Sequence, residues 1–222
     1  MRLSEAIDLL DSPQLRALKP ATGTPDSRTI MPPTTAVAPL RWADLGCGNG
    51  LFTEALAQFL PRDSTIYGVD LRPTLYSEVV NGVALFPIKA DFINIPLPFS
   101  DLDGILMANS FHYVEDKPAF LEKLKGYLKP GDAAGSSAKP SQASGSSAKP
   151  GDAAGSSPKP GAPLLFVEYD SDRPVPTWVP WPVSFASLQP LLKNAGWTSL
   201  QKLAERPSVY GHSNLYAALA TV

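Results

Sequence analysis

Cysteine is nearly missing from this 222-residue chain. Cys47 is the single one, so no internal disulfide can form and nothing points to an oxidising compartment. Long apolar runs are missing too; none approaches the roughly 20 residues that a membrane-spanning helix needs. The opening stretch MRLSEAIDLLDSPQ carries acids where a secretory signal would be apolar. Positive charge is not in excess. Nineteen Lys and Arg stand against 21 Asp and Glu, a formal net charge of −2, which gives no electrostatic case for nucleic acid or an anionic membrane surface. These absences lead to the expectation of a cytoplasmic protein with no membrane or nucleic-acid partner. No residue is assigned to a metal, and the oligomeric state is left open.

Proline, by contrast, is abundant. The chain has 24, roughly twice the usual share of about 5%, and many fall in residues 20–39 and 129–163. Between those stretches the pattern alternates. Leu3, Ala6, Ile7 and Leu10 repeat at helical spacing and open a short amphipathic helix within residues 2–18. LRWADL, STIYGVD, VALFPIKAD, DGILMANS and APLLFVEYD read as five strands. LFTEALAQFL, KPAFLEKLKGYLK and SFASLQPLLKNAG read as helices, the last capped by Ser184 and ended by Gly196. WTSLQKLAE and NLYAALATV follow with no helix between them, so they are expected to pair antiparallel. Strands alternating with helices predict an α/β fold with a mostly parallel sheet and helices on both faces. A chain of this length buries one sizeable core.

Lys129–Ala138, Lys139–Ala148 and Lys149–Pro158 are three copies of one decapeptide with no apolar side chain larger than alanine. Such a repeat buries too little apolar surface to offset its ordering entropy, so it reads as a disordered insertion at about 131–161. Closure entropy grows only with the logarithm of loop length. Deleting residues 132–161 is therefore expected to leave folding and ligand binding intact; a large fall in melting temperature would show the repeat to be structural.

ADLGCGNG, residues 43–50, sits between the first strand and its helix. The three glycines at 46, 48 and 50 do not match the dinucleotide fingerprint, whose third glycine would fall where Leu51 stands. Taken alone, the stretch also admits a tight strand-to-helix turn without a ligand. Its company points elsewhere. Asp70 ends the second strand, Asp91 the third and Asn109 the fourth, and in open parallel sheets ligands bind beyond those carboxyl ends.

ADLGCGNG followed by YGVD, KADF, GILMANSFHYVED, LKPG and LLFVEYD resembles the class I S-adenosylmethionine-dependent methyltransferases, the small-molecule branch in particular. The resemblance covers residues 40–131 and 162–222. It implies a Rossmann-like seven-stranded sheet with the last strand antiparallel and S-adenosylmethionine as co-substrate. It also implies that Asp44, Gly46, Gly48 and Gly50 surround the methionine moiety and ribose. Asp70 would hold the ribose hydroxyls, Asp91 the adenine amino group with Phe92 beside the ring, and the Asn109 region would lie near the methyl group. Residues 40–222 become the methyltransferase domain, and residues 1–39 a helix with a proline-rich connection that could serve as a lid.

The implied reaction is an in-line displacement by a substrate O, N, S or C on the methyl carbon, which asks the protein mainly for alignment and exclusion of water. His112 is the candidate general base, with Tyr113 and Glu168 behind it; for His112, packing beneath the next helix is the competing reading. Trp178 and Trp181 stand among Pro174, Pro176, Pro180 and Pro182 and suggest a rigid aromatic wall for a small-molecule acceptor pocket, or else core packing. Three alternatives stay open: a non-catalytic donor-binding regulator, a protein or nucleic-acid methyltransferase, and a nicotinamide oxidoreductase.

Overall fold

The computed structural model describes residues 1–19, 37–130, 161–208 and 213–221. Residues 20–36, 131–160, 209–212 and 222, which include most of the proline-rich connection and almost all of the repeat, lie outside those ranges.

Helices α1 (Leu3–Leu10) and α2 (Pro13–Arg16) precede strand β1 (Arg41–Leu45) and helix α3 (Leu51–Ala57). The short amphipathic opening helix expected from Leu3, Ala6, Ile7 and Leu10 is α1, and a second short helix follows it. Ser12 caps the second piece through Leu15 N–H, and Pro13 begins it, a pairing that starts a helix rather than continuing one. Then come β2 (Thr65–Asp70), β3 (Glu78–Val80), β4 (Val83–Lys89), β5 (Gly104–Ala108) and α4 (Lys117–Lys125). The chain ends with β6 (Leu164–Tyr169), α5 (Phe185–Asn194), β7 (Ser199–Pro207) and β8 (Asn214–Thr221).

The strands form one sheet in the order β3-β4-β2-β1-β5-β6-β8-β7. β4, β2, β1, β5 and β6 pair parallel. β8 runs antiparallel to both β6 and β7, as expected for the last strand. The sheet has eight strands rather than seven. The extra one, β3, is joined to β4 by Asn81-Gly82, at φ 54° and 83°. Two successive left-handed residues make the turn whose twist suits a two-residue hairpin.

Alternating residues feed two cores. Trp42, Ile66, Leu106, Leu165 and Val167 face α1, α2 and α3. Leu45, Ile105, Met107, Leu164 and Phe166 face α4 and α5. Helices therefore cover both faces, and the Phe120, Leu121, Leu124 stripe of α4 is fully buried. Crossovers on the β4 side carry no helix, which leaves Val79 and Phe86 exposed there. At the opposite end of the strands, Pro130 and Gly161 line one cavity.

Candidate functional site

β1 ends at a turn built by backbone hydrogen bonds. Gly46 N–H and Cys47 N–H both donate to Val69 O, at 2.7 and 3.1 Å. Gly46, Gly48 and Gly50 have φ of 90°, 53° and 86°, a region that only glycine enters without strain. At Gly46 there is a second reason: an added Cβ would stand 2.3 Å from Ser110 Cβ. That contact joins the ends of β1 and β5, so the turn and the β5 loop form one floor.

Asp70 at the end of β2 ties this turn down. One carboxylate oxygen accepts Gly48 N–H at 3.0 Å and the other accepts Arg72 N–H at 2.8 Å. Asp91 stands two residues past β4. Its carboxylate accepts the backbone N–H groups of Ile93 and Asn94 and the Asn94 amide, and those bonds, the Asn94 side chain first, hold its pKa below the usual carboxylate value. A cavity of about 290 Å³ opens between these groups. Gly46, Asp70, Asp91, Phe92 and Asn109 line it, as do Leu71, Ile93, Ser110 and Tyr113. Tyr113 has its hydroxyl pKa raised by burial and by the charges of Glu168 and Asp70.

Asn109 follows β5 at φ 53°, a conformation uncommon outside glycine. Its Oδ1 is buried with no hydrogen-bond partner among the described residues. It borders the first cavity and also a second one, of about 320 Å³, lined by Glu5, Asn49, Tyr169 and Arg206. In this second wall Arg206 Nη2 donates to Glu5 Oε1 at 2.8 Å, and the Glu5 pKa falls to about 2, with that bond the main cause. The opening helix thus borders the second cavity rather than closing the first.

Asp44, Gly48, Gly50 and His112 line neither cavity. Asp44 lies beneath the turn, fully buried. Its Oδ2 accepts the Thr53 hydroxyl at 2.6 Å, while Oδ1 has no partner among the described residues. Desolvation raises its pKa to about 7, the Thr53 bond opposing and the Asp70 charge adding. The neutral form is favoured in the fold, so this group's stabilisation is full below pH 4 and is lost as pH rises through 7. At about 1.4 kcal/mol per pH interval the loss amounts to roughly 4 kcal/mol. Asp44→Asn is expected to unfold at higher urea than the parent at pH 8 and at similar urea at pH 4; equal midpoints at pH 8 would refute it. Cys47, with its thiol pushed up to about 12 mainly by burial, is unreactive.

His112 is 2% exposed and its Nδ1 lies 2.7 Å from Glu168 Oε2. The other Glu168 oxygen accepts three successive backbone N–H groups, from Ser110, Phe111 and His112, at 3.0, 2.7 and 3.3 Å. His112, the candidate general base, thus packs beside Tyr113, with ring centroids 4.4 Å apart, and lines neither cavity. Trp178 and Trp181 are 44% and 41% exposed, which places them on a rim rather than in the core. Trp181 N–H donates to His112 O, and Lys117 Nζ donates to the carbonyls of Val114 and Trp181. The rim is thereby stitched to the β5 loop. Sequence reasoning missed Ser110, Leu71, Ile93, Asn49, Glu5 and Arg206. Only position relative to strand ends could have flagged the first three; the last two meet from 201 residues apart.

A glycine turn closing the first strand, an acid ending the next and a reversed last strand are the features expected from the resemblance to the class I methyltransferase fold. Residues 43–134 match the methyltransferase domain family, and this segment is similar to proteins named as methyltransferases. An uncharacterized methyltransferase of Mycobacterium tuberculosis is 30% identical over 91 residues, which span 40% of this chain and 45% of that protein. Trans-aconitate 2-methyltransferase of Pseudomonas aeruginosa is 36% identical over 97 residues, 42% of this chain and 34% of the enzyme. The chain thus covers less than half the length of either. A solved S-adenosylmethionine-dependent methyltransferase of Leishmania major shares the fold, with a TM-score of 0.54 at 17% identity over 84% of this chain and 67% of that one. Among the described residues no helix is long and apolar enough to cross a membrane.

Proposed function

We propose that the protein transfers the methyl group of S-adenosylmethionine to a small-molecule acceptor. The observation that carries this reading is the first cavity, where Gly46, Asp70, Asp91, Phe92 and Asn109 converge from four strand ends. The residues fit this donor. Glycine at position 46 lets the turn pack directly against Ser110 in the cavity floor, a contact that a Cβ would prevent. Among the described residues two carboxylates and no cationic side chain line the cavity, which suits a nucleoside bearing a positive sulfonium and no phosphate. When bound, the donor supplies an activated methyl group.

The chain's own residues align and shield. Asp70 takes the ribose hydroxyls with the lone pairs left after Gly48 and Arg72, Asp91 faces the adenine edge, and Phe92 lies beside the base. Asn109 stands at the boundary of the two cavities and brings the methyl group to face the acceptor. Gly48, Gly50 and Asp44 act from beneath, by holding the turn. His112 is assigned a positioning role, through the loop that carries Asn109 and Tyr113, rather than contact with the acceptor.

The test is calorimetric titration with S-adenosylmethionine and S-adenosylhomocysteine, followed by transfer of labelled methyl to a metabolite extract. Saturable binding of both and a labelled small molecule are expected. Binding without turnover would favour the regulatory alternative, and no binding would end the proposal.

A further inference from the structure

The second cavity holds the one cationic side chain that lines either cavity among the described residues, Arg206 on β7. Its side chain is 27% exposed, so it sits in the wall rather than waving in solvent. A guanidinium has five N–H donors in a rigid fork. The bond to Glu5 uses one of them. Glu5 in turn is held from behind, its other oxygen accepting Arg2 N–H at 2.7 Å. The rest of the wall offers the Asn49 and Asn109 amides, the Tyr169 phenol and apolar groups. A partly desolvated guanidinium with spare donors beside such a wall matches the paired oxygens of a carboxylate.

We propose that this cavity is an anion subsite of the methyl-transfer site, in which Arg206 binds a carboxylate of the reacting molecules. Glu5 holds the guanidinium in place until that carboxylate arrives. The proposal rests on the methyltransferase reading, because the cavity meets the donor cavity at Asn109. The carboxylate belongs either to the amino-acid end of the donor or to the acceptor. The competing account is a purely structural pair that fastens α1 to β7.

Three chains decide it: the full-length parent, Arg206→Gln and Glu5→Gln. Each is titrated with S-adenosylhomocysteine and with methylthioadenosine, which keeps the nucleoside and lacks the carboxylate. Each is also assayed for labelled methyl transfer to a panel of small carboxylic acids and their primary amides. If the donor supplies the carboxylate, Arg206→Gln loses at least tenfold in S-adenosylhomocysteine affinity and leaves methylthioadenosine unchanged. If the acceptor supplies it, that affinity holds and the preference for acids over amides disappears. Glu5→Gln, which releases the guanidinium, moves the same readout in the opposite direction, whereas a structural pair would make the two variants alike. Parent-like S-adenosylhomocysteine affinity in Arg206→Gln, with no arginine-dependent preference for acids, overturns the subsite alone. Absence of binding in the parent overturns the methyltransferase reading and the subsite with it.

Discussion

Replacing Asp70 by alanine is expected to abolish measurable binding of S-adenosylmethionine while the chain stays folded. The carboxylate has one bond on each oxygen already, from Gly48 N–H and Arg72 N–H, and each oxygen keeps acceptor capacity for one ribose hydroxyl. Hydrogen bonds to a charged group contribute about 1.5–3 kcal/mol each. Two together correspond to between two and four orders of magnitude in affinity. Part of the loss comes through the turn, because the Gly48 amide also loses its partner. Asp70→Asn separates these contributions: it keeps an oxygen for one backbone amide and loses the charge, so an intermediate affinity is expected. Calorimetry is the check, with thermal unfolding run beside it. Parent-like donor affinity in Asp70→Ala, with an unchanged melting temperature, would remove Asp70 from the site and the central support of the proposed activity.

The strand ends were readable because they depend on local pattern. An apolar run ending on Asp70 or just before Asn109 predicts a strand whose last residue meets whatever sits beyond the sheet, and both residues line the first cavity. The hairpin strand β3 was missed, although its signal is equally local. Asn81-Gly82 between EVV and VAL is a two-residue turn signature, although the strand is only three residues long and carries little periodicity. Other features depend on partners distant in sequence. Nothing near His112 announces that Glu168, 56 residues on, takes its Nδ1. A histidine just past a strand end therefore looks like a base when read alone. Arg206 and Glu5 are read as unrelated surface charges until β7 and α1 are brought together. Chemistry carried by backbone conformation was legible, and chemistry carried by tertiary pairing was not.

The largest expected loss of stability follows from that hidden pairing. Glu168→Ala is expected to lower unfolding free energy by about 3–5 kcal/mol, the range for removing one partner of a buried charged cluster. The residue is 1% exposed, and its side chain is the partner of three consecutive amides and an imidazole. Alanine would strand all of them in a site that water does not reach. Each buried unsatisfied donor costs about 1–3 kcal/mol, with the total reduced as the loop relaxes. Relaxation has a second consequence. Ser110 and Asn109 line the first cavity, and the strained φ of Asn109 persists only while the surroundings impose it. Donor affinity should therefore fall in Glu168→Ala even under conditions where the variant is fully folded. Glu168→Gln keeps one oxygen for the amides and is expected to lose less in both readouts. Combining Glu168→Ala with His112→Ala should cost clearly less than the sum of the single changes, since they share one contact. Urea unfolding gives all four values. Additive costs, or a Glu168→Ala chain within 1 kcal/mol of the parent, would mean that the carboxylate is not what holds the loop after β5.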